Sequence, residues 1–336
     1  MATMRALVGG LGPDWELHSV PRPTAGPGEV LIEVAAAGLN RADLLRLRGT
    51  YNAALTKPGT FIGGLECAGR VIEAGPGVIG VDLGQAVMAA SGGTLAEYVA
   101  VDHRHVLPVP DGVPLVEAAS LMVGLATEHD ALVTQGGFRA GQSVLVLGGA
   151  SSVGLLGIQL AKAFDASLVI ATTRSPAKVR ALADAGADVV LDTGFDSFTA
   201  EVLRHTASTG VDVVLDHLGG RPLAGSVAAT RVGGTIINIG RLTGPESTIN
   251  VDDLAFRRIR LQGTTFSVRT AEERAGVYAA LRPAVLPAVA QGRIRAVVDR
   301  VLPMDEAKAA ADYMRSNRAS GKVVLTIGTA LDDQGG

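Results

Sequence analysis

From residue 143 onward, apolar positions fall in short continuous runs separated by stretches with helical spacing. "SVLVLGG" (143–149) leads into a helical pattern through Phe164, "SLVIATT" (167–173) into "SPAKVRALADAGA", and "DVVLD" (188–192) into "SFTAEVLRHTA". "VDVVLDHLG" (211–219) precedes "RPLAGSVAAT", "GGTIINIG" (233–240) precedes "VDDLAFRRI", and "RLQGTTF" (260–266) closes the series. Strands apolar on both faces and joined by helical crossovers belong in a parallel sheet covered on both sides. Six such strands make the two mononucleotide-binding halves of a doubly wound α/β fold.

The first 120 residues have another rhythm. "RALVGG", "EVLIEVAAAG", "GRVIEAGPG", "QAVMAA" and "AEYVAV" are short β segments separated by turns such as "PRPTAGPGE" and "EAGPGV"; only "NRADLLRLRG" has clear helical spacing. This is the pattern of a compact, mainly β unit. The tail "AVVDRVLPMDEAKAAADYMRSNRASGKVVLTIG" reads as strand, helix, strand, and its strands are expected to return to that unit. The expected domains are therefore 1–121 with 267–336, and 122–266.

Composition narrows the functional classes. The chain has 336 residues, 47% hydrophobic and 19% charged, with a net charge of −3 and no block of like charges. A general nucleic-acid or membrane-surface role has no electrostatic support. One cysteine, Cys67, excludes an intrachain disulfide and any cysteine-based zinc cluster. "MATMRALVGG" lacks the form of a secretory leader, and no charge-free apolar run reaches the roughly 18 residues of a membrane span. A reducing, cytoplasmic setting is the expectation.

The turn "GGASSVG" after the first apolar run is a candidate dinucleotide site. Gly149 is expected to leave the strand with positive φ, and Gly154 to let the following helix pack close to the sheet. Serine stands at 151, where glycine would let the backbone approach a pyrophosphate. It is a mild replacement: its Cβ is small, and the hydroxyls of Ser151 and Ser152 can donate to phosphate. With Val153 and Gly154 these residues open a helix whose free N–H groups and partial positive charge favour an anion. A tight turn without ligand is the alternative. About 20 residues further on, an NAD site would place an acid on the ribose. Here stand Thr172, Thr173, Arg174 and Ser175, with Lys178 one turn on. Cations and hydroxyls suit a 2′-phosphate, so NADPH is the expected cofactor. Ser175 reads alternatively as a helix cap before Pro176, and Arg174 and Lys178 as solvated surface.

These motifs, with "AAGLNRADLLRLRGTY" (36–51), "GGLECAGRVIEAGPGV" (63–78), "LADAGADVVLDT" (182–193) and "SGKVVLTIG" (320–328), span nearly the whole chain. The chain resembles the medium-chain dehydrogenase/reductase superfamily, and within it the zinc-free quinone oxidoreductase branch that includes zeta-crystallin-like proteins. The resemblance implies a GroES-like catalytic domain, a Rossmann domain, and hydride transfer from NADPH to quinones or activated enones. Specific enoyl or acryloyl reduction, and NADPH binding without catalysis, are the rival expectations. Zinc relatives carry a cysteine near Asn40 and a histidine near Leu65; here neither slot holds such a ligand, and Glu66 alone does not hold catalytic zinc. No zinc is expected. His103 and His105 are read as a solvated loop.

By the same resemblance, Asn40 and Tyr51 lie near substrate and nicotinamide as hydrogen-bond donors. Asn40 reads alternatively as the N-cap of "RADLL", and Tyr51 as loop packing. Thr127 matches a threonine near the nicotinamide, but Glu128 and His129 replace the alanine and tyrosine that follow it. These two read as helix surface or as a substrate-specific polar group. Gly240, Phe266 and Ser267 are implied beside the nicotinamide, with Arg269 facing cofactor or substrate. Thr193 replaces a tyrosine on the adenosine side. Asp216 and His217 are expected to line the cleft rather than act as a catalytic pair. The implied partners are a small quinone or enone substrate and a second copy of the chain in a homodimer, which sedimentation of the purified protein tests.

Overall fold

A computed structural model describes residues 2–51, 59–192 and 198–328. In chain order the first part holds β1 (Thr3–Gly9), β2 (Glu16–Pro21), β3 (Glu29–Leu39), α1 (Arg41–Leu47), β4 (Phe61–Ile62), β5 (Glu66–Ala74), β6 (Ala86–Ala90), β7 (Tyr98–Asp102), β8 (Val106–Pro108) and α2 (Leu115–Ala118). The middle holds α3 (Met122–His129), β9 (Ser143–Leu147), α4 (Ser152–Ala163), β10 (Leu168–Thr172), α5 (Val179–Asp184), β11 (Val189–Leu191), α6 (Phe198–His205), β12 (Val211–Asp216), α7 (Gly220–Ala229), β13 (Thr230–Asn238), α8 (Val251–Phe256) and β14 (Arg260–Gly263). The remainder is α9 (Ala271–Ala284), α10 (Leu286–Ala290), β15 (Val298–Pro303), α11 (Ala307–Arg315) and β16 (Lys322–Thr326).

Two compact units result. The first takes the chain up to Val123, Thr270–Ala290 and the chain from Ala296 on; the second is Gly124–Arg269 with Gln291–Arg295. These divisions fall within three residues of those drawn from the pattern, which did not foresee the short return at 291–295.

The first unit is mainly β. Its larger sheet runs β15-β16-β3-β5-β6-β8, with β7 also on β3, and β2-β1-β4 form a smaller sheet. The tail strand β16 pairs antiparallel with β3, Val323 opposite Leu39. Val30, Ile32 and Val34 of β3, Val71 of β5 and Leu325 of β16 share one core. His105 is not on a solvated loop: it is buried in a short 3₁₀ turn, its Nε2 2.9 Å from the Ala271 carbonyl and its ring edge-on to Tyr278. Helix α9 covers this turn, a long-range packing that local pattern cannot show.

The second unit is a six-stranded, all-parallel sheet in the order β11-β10-β9-β12-β13-β14. Continuous apolar runs become strands buried on both faces, with Leu145, Leu147, Ile170, Val214 and Ile236 meeting Phe198 and Val202 of α6. The chain winds outward from β9 to β11, then restarts beside β9 at β12. The strand order reverses there, and in such sheets ligands bind outside the carboxyl ends of the strands at that point. Helix α3 continues as a π-helix over Asp130–Gln135, a form common near functional sites.

Candidate functional site

The crossover from β9 to α4 is a turn tied from within. Gly148 takes φ +75°, which favours glycine, and its N–H donates to Thr172 Oγ1 at 3.1 Å. The sharp exit from the strand is thus made at Gly148 and not, as the pattern suggested, at Gly149. Gly149 must instead be small, because an added Cβ would come within 3.2 Å of both Ala171 and Ile158. At Gly154 an added Cβ would stand 2.9 Å from the Cα of Gly149 and 3.0 Å from the carbonyl oxygen of Gly148. The helix and the turn are therefore in backbone contact.

Ser151 is the N-cap of α4: its hydroxyl accepts the Gly154 N–H at 3.0 Å and donates to the Gly148 carbonyl at 3.2 Å. Its single proton is used inside the turn, which corrects the expectation that this hydroxyl serves a phosphate. The groups offered to an anion are the amides of Ser152 and Val153 at the start of the helix, which have no intrahelical acceptor, and the Ser152 hydroxyl.

At the end of β10, Thr172 and Thr173 are buried. Thr172 holds the Gly148 amide, and Thr173 Oγ1 accepts the Ser175 N–H at 3.1 Å. These two hydroxyls are tied to backbone, so the polar capacity of this corner rests on Ser175, Arg174 and Lys178. Ser175 sits before Pro176 as an N-cap in position, but its side chain makes no capping bond. Arg174 is exposed and Lys178 half-buried, and no acid stands among them. Two cations and no acid within the stretch Thr172–Lys178 fit the 2′-phosphate of NADPH, and with the close-packed turn the residues of this stretch fit this cofactor. Thr193 lies outside the described residues.

The carboxyl ends of β12 and β13 are held by Asp216, which is fully buried rather than lining a cleft. Its Oδ1 accepts the amides of Leu218 (2.9 Å) and Gly219 (3.0 Å), and its Oδ2 the side-chain amide of Asn238 (2.8 Å). Gly240 crosses so close that a Cβ would lie 2.4 Å from the His217 carbonyl oxygen. Phe266 is half-buried under the Arg269 guanidinium, 4.7 Å from its ring centre, and the Ser267 N–H donates to Thr265 Oγ1 at 3.3 Å. Arg269 pairs with the buried Asp130 at 2.5 Å, so its charge is answered within the unit.

On α3, Thr127 is half-buried, while Glu128 and His129 are buried. The helix-surface reading of these two is overturned. His129 stacks edge-on to Phe164, and burial holds its pKa below the ordinary histidine value. Glu128 Oε1 lies 3.3 Å from His217 Nε2. This buried pair was missed in the sequence.

In the first unit, Asn40 and Tyr51 part ways. Asn40 is buried, and its Nδ2 donates to Glu66 Oε1 (2.9 Å) and to the Gly38 carbonyl (3.3 Å). Its Oδ1 accepts from Lys322 Nζ at 2.8 Å. Both amide protons are engaged, so the expectation that Asn40 donates to a substrate oxygen loses its donor. The Lys322 ammonium also meets Glu66 Oε1 at 2.5 Å, and Glu66 Oε2 accepts the Val123 N–H at 2.9 Å. Asp43 accepts the Asn40 amide at 2.8 Å, and burial raises its pKa to about 7. Nothing in the motif "SGKVVLTIG" marks Lys322 as the buried cation that it is. Among the described residues no three His, Cys, Asp or Glu side chains are grouped to hold a metal ion, and no helix is long and apolar enough to cross a membrane. Tyr51 is half-buried directly before the undescribed stretch 52–58.

Two family descriptions match: an alcohol dehydrogenase GroES-like domain over residues 26–111 and a zinc-binding dehydrogenase over 152–281. The tomato (Solanum lycopersicum) 2-methylene-furan-3-one reductase is 31% identical over 91% of this chain and 74% of its own length. The chain belongs to the medium-chain dehydrogenase/reductase superfamily. Within it, the chain falls in the quinone oxidoreductase-like branch. The bovine (Bos taurus) quinone oxidoreductase-like protein 2 is 28% identical, covering 91% of this chain and 87% of the relative. The spectinabilin polyketide synthase protein NorB of Streptomyces orinoci is 32% identical over 97% of this chain, which spans only 14% of that protein's length. Among superfamily structures, a mycobacterial protein complexed with NADPH matches with TM-score 0.84 and 30% identity over 96% of this chain and 99% of that one. The CurK enoyl reductase matches with TM-score 0.84 and 26% identity over 97% and 99%.

Proposed function

We propose that this chain reduces quinones or activated α,β-unsaturated carbonyls, using NADPH and no zinc. The observation that carries the cofactor reading is the stretch Thr172–Lys178 after β10, which holds Arg174 and Lys178 in place of the acid an NAD site would carry. Bound there, NADPH supplies a hydride. The amides of Ser152 and Val153 receive the pyrophosphate, and Arg174, Ser175 and Lys178 receive the 2′-phosphate. Replacing Arg174 and Lys178 together by alanine is expected to weaken NADPH binding on the order of a hundredfold and to leave NADH binding unchanged. Equal loss for both cofactors in fluorescence titration overturns the assignment.

In the first unit, the Lys322 ammonium takes the carboxylate of Glu66, the one zinc-relevant acid left near Asn40 and Leu65. This supports a reaction in which hydrogen bonds, rather than a metal, stabilise charge on the substrate oxygen. With the amide of Asn40 engaged, Tyr51 is the donor, its phenol holding a proton for that oxygen. The test is NADPH oxidation over quinones, enones and aldehydes, repeated for Tyr51→Phe, with product analysis. Hydroquinone or saturated carbonyl, with activity falling at least tenfold in the variant, supports the reading. Full activity of Tyr51→Phe on every accepted substrate removes Tyr51 from the mechanism. Binding without turnover of any of them makes the chain a non-catalytic NADPH-binding protein. The likeness to CurK enoyl reductase and to a polyketide synthase protein favours a second reading, reduction of a specific enoyl thioester. Such an enzyme reduces enoyl thioesters and leaves quinones untouched.

A further inference from the structure

Glu128 and His217 form a buried carboxylate–imidazole pair without an evident structural reason. Glu128 is wholly buried and His217 nearly so. Among the described residues, neither carboxylate oxygen of Glu128, nor Nε2 of His217, has a hydrogen-bond partner beyond their mutual 3.3 Å contact. A buried carboxylate answered by one neighbour costs stability, and apolar side chains would pack there at less cost. Space has been kept for it: a Cβ at Gly157 of α4 would lie 2.3 Å from Glu128 Oε2.

The position is where a ligand would feel it. His217 directly follows β12, the strand at which the sheet order reverses. A Cβ on Gly148, the residue that opens the dinucleotide turn, would meet the His217 Cβ at 3.5 Å, and Gly240 lies against its carbonyl. The backbone and Cβ of His217 are thus held between the turn after β9 and the exit from β13.

We propose that the Glu128–His217 pair belongs to the cofactor site and sets its affinity through its own charge. This rests on the NADPH reading above. Doubly ionised, the pair is neutral overall. When His217 loses its proton, one negative charge remains under a site built for a polyanion. Burial lowers the His217 pKa, but the Glu128 carboxylate and, less, Asp216 outweigh this and raise it above the ordinary value. Among the described residues, the charged groups that face His217 are Glu128 from α3 and Asp216 from β12, the latter already bonded to two amides and to Asn238. The β9 turn and the start of β13's exit present Gly148 and Gly240, which bear no charge.

The test is the dissociation constant of NADPH from about pH 6 to about pH 9, measured by fluorescence for the wild type and for Glu128→Gln. In the wild type, affinity is expected to fall on the order of tenfold as His217 deprotonates, the scale of one unit charge acting across several ångströms of protein. In Glu128→Gln the carboxylate that holds the His217 proton is gone and burial keeps the imidazole neutral across this range, so the fall disappears and, with no buried negative charge, binding at the alkaline end is tighter than in the wild type. Titration of the 2′-phosphate contributes equally to both profiles. Reciprocity supplies a second measurement that needs no folded variant: bound NADPH must raise the pKa of His217 by about one unit in the NMR titration of the wild-type imidazole. Parallel pH profiles, or a His217 titration indifferent to NADPH, overturn the inference and leave the cofactor reading standing. No binding of NADPH by the wild type at any pH overturns both.

Discussion

Replacing Lys322 by methionine is expected to destabilise the first unit by about 3–5 kcal/mol, read as a lowered denaturant midpoint. The ammonium is the only full positive charge bonded to Glu66 among the described contacts, and Glu66 has no exposure to water. Its loss leaves a carboxylate buried against one side-chain amide and one backbone N–H. The double variant Lys322→Met with Glu66→Leu removes both charges and is expected to recover much of the loss, because deleting a whole buried pair costs less than orphaning half of it. Equal destabilisation in the single and double variants would show that Lys322 matters through its packing and not its charge.

The second large effect belongs to Gly154. Alanine there puts a methyl 2.9 Å from one backbone atom and 3.0 Å from two carbonyl oxygens. No flexible side chain can give way, so α4 must move off the turn. Overpacking of this kind costs about 1–3 kcal/mol. Because the amides offered to the pyrophosphate sit on the displaced turn of helix, NADPH affinity is expected to fall at least tenfold. Calorimetric titration of Gly154→Ala checks this, and wild-type affinity with wild-type stability would contradict the contact.

The parallel sheet was legible because its strands, apart from the edge strand β14, are runs of apolar residues, and they end close to glycine, threonine or aspartate. The β-rich first unit was legible from its turns. What stayed hidden has one physical cause. Helix α3 and the start of its π-helical continuation are buried on nearly every side, from Leu125 and Ala126 to His129 and Asp130. A helix without a wet face gives its polar residues no periodic signature, so Glu128 and His129 read as surface. Lys322 begins a strand, where a lysine ordinarily reaches solvent; only the approach of β16 to β3 and β5 places it beside Glu66. Ser151 was noticed as a departure from glycine, but its hydroxyl's two bonds depend on where the Gly148 carbonyl points, and that is a property of the folded turn.

The turn after β9 is closed by its own chain. Thr172 holds Gly148, the Gly149 N–H donates to the Thr172 carbonyl, and the Ser151 hydroxyl spans Gly148 and Gly154. A loop rich in small residues would ordinarily lose much conformational freedom when a ligand orders it. Here that entropy is given up when the protein folds, so a dinucleotide meets a cradle already in place, and more of its contact energy remains as affinity.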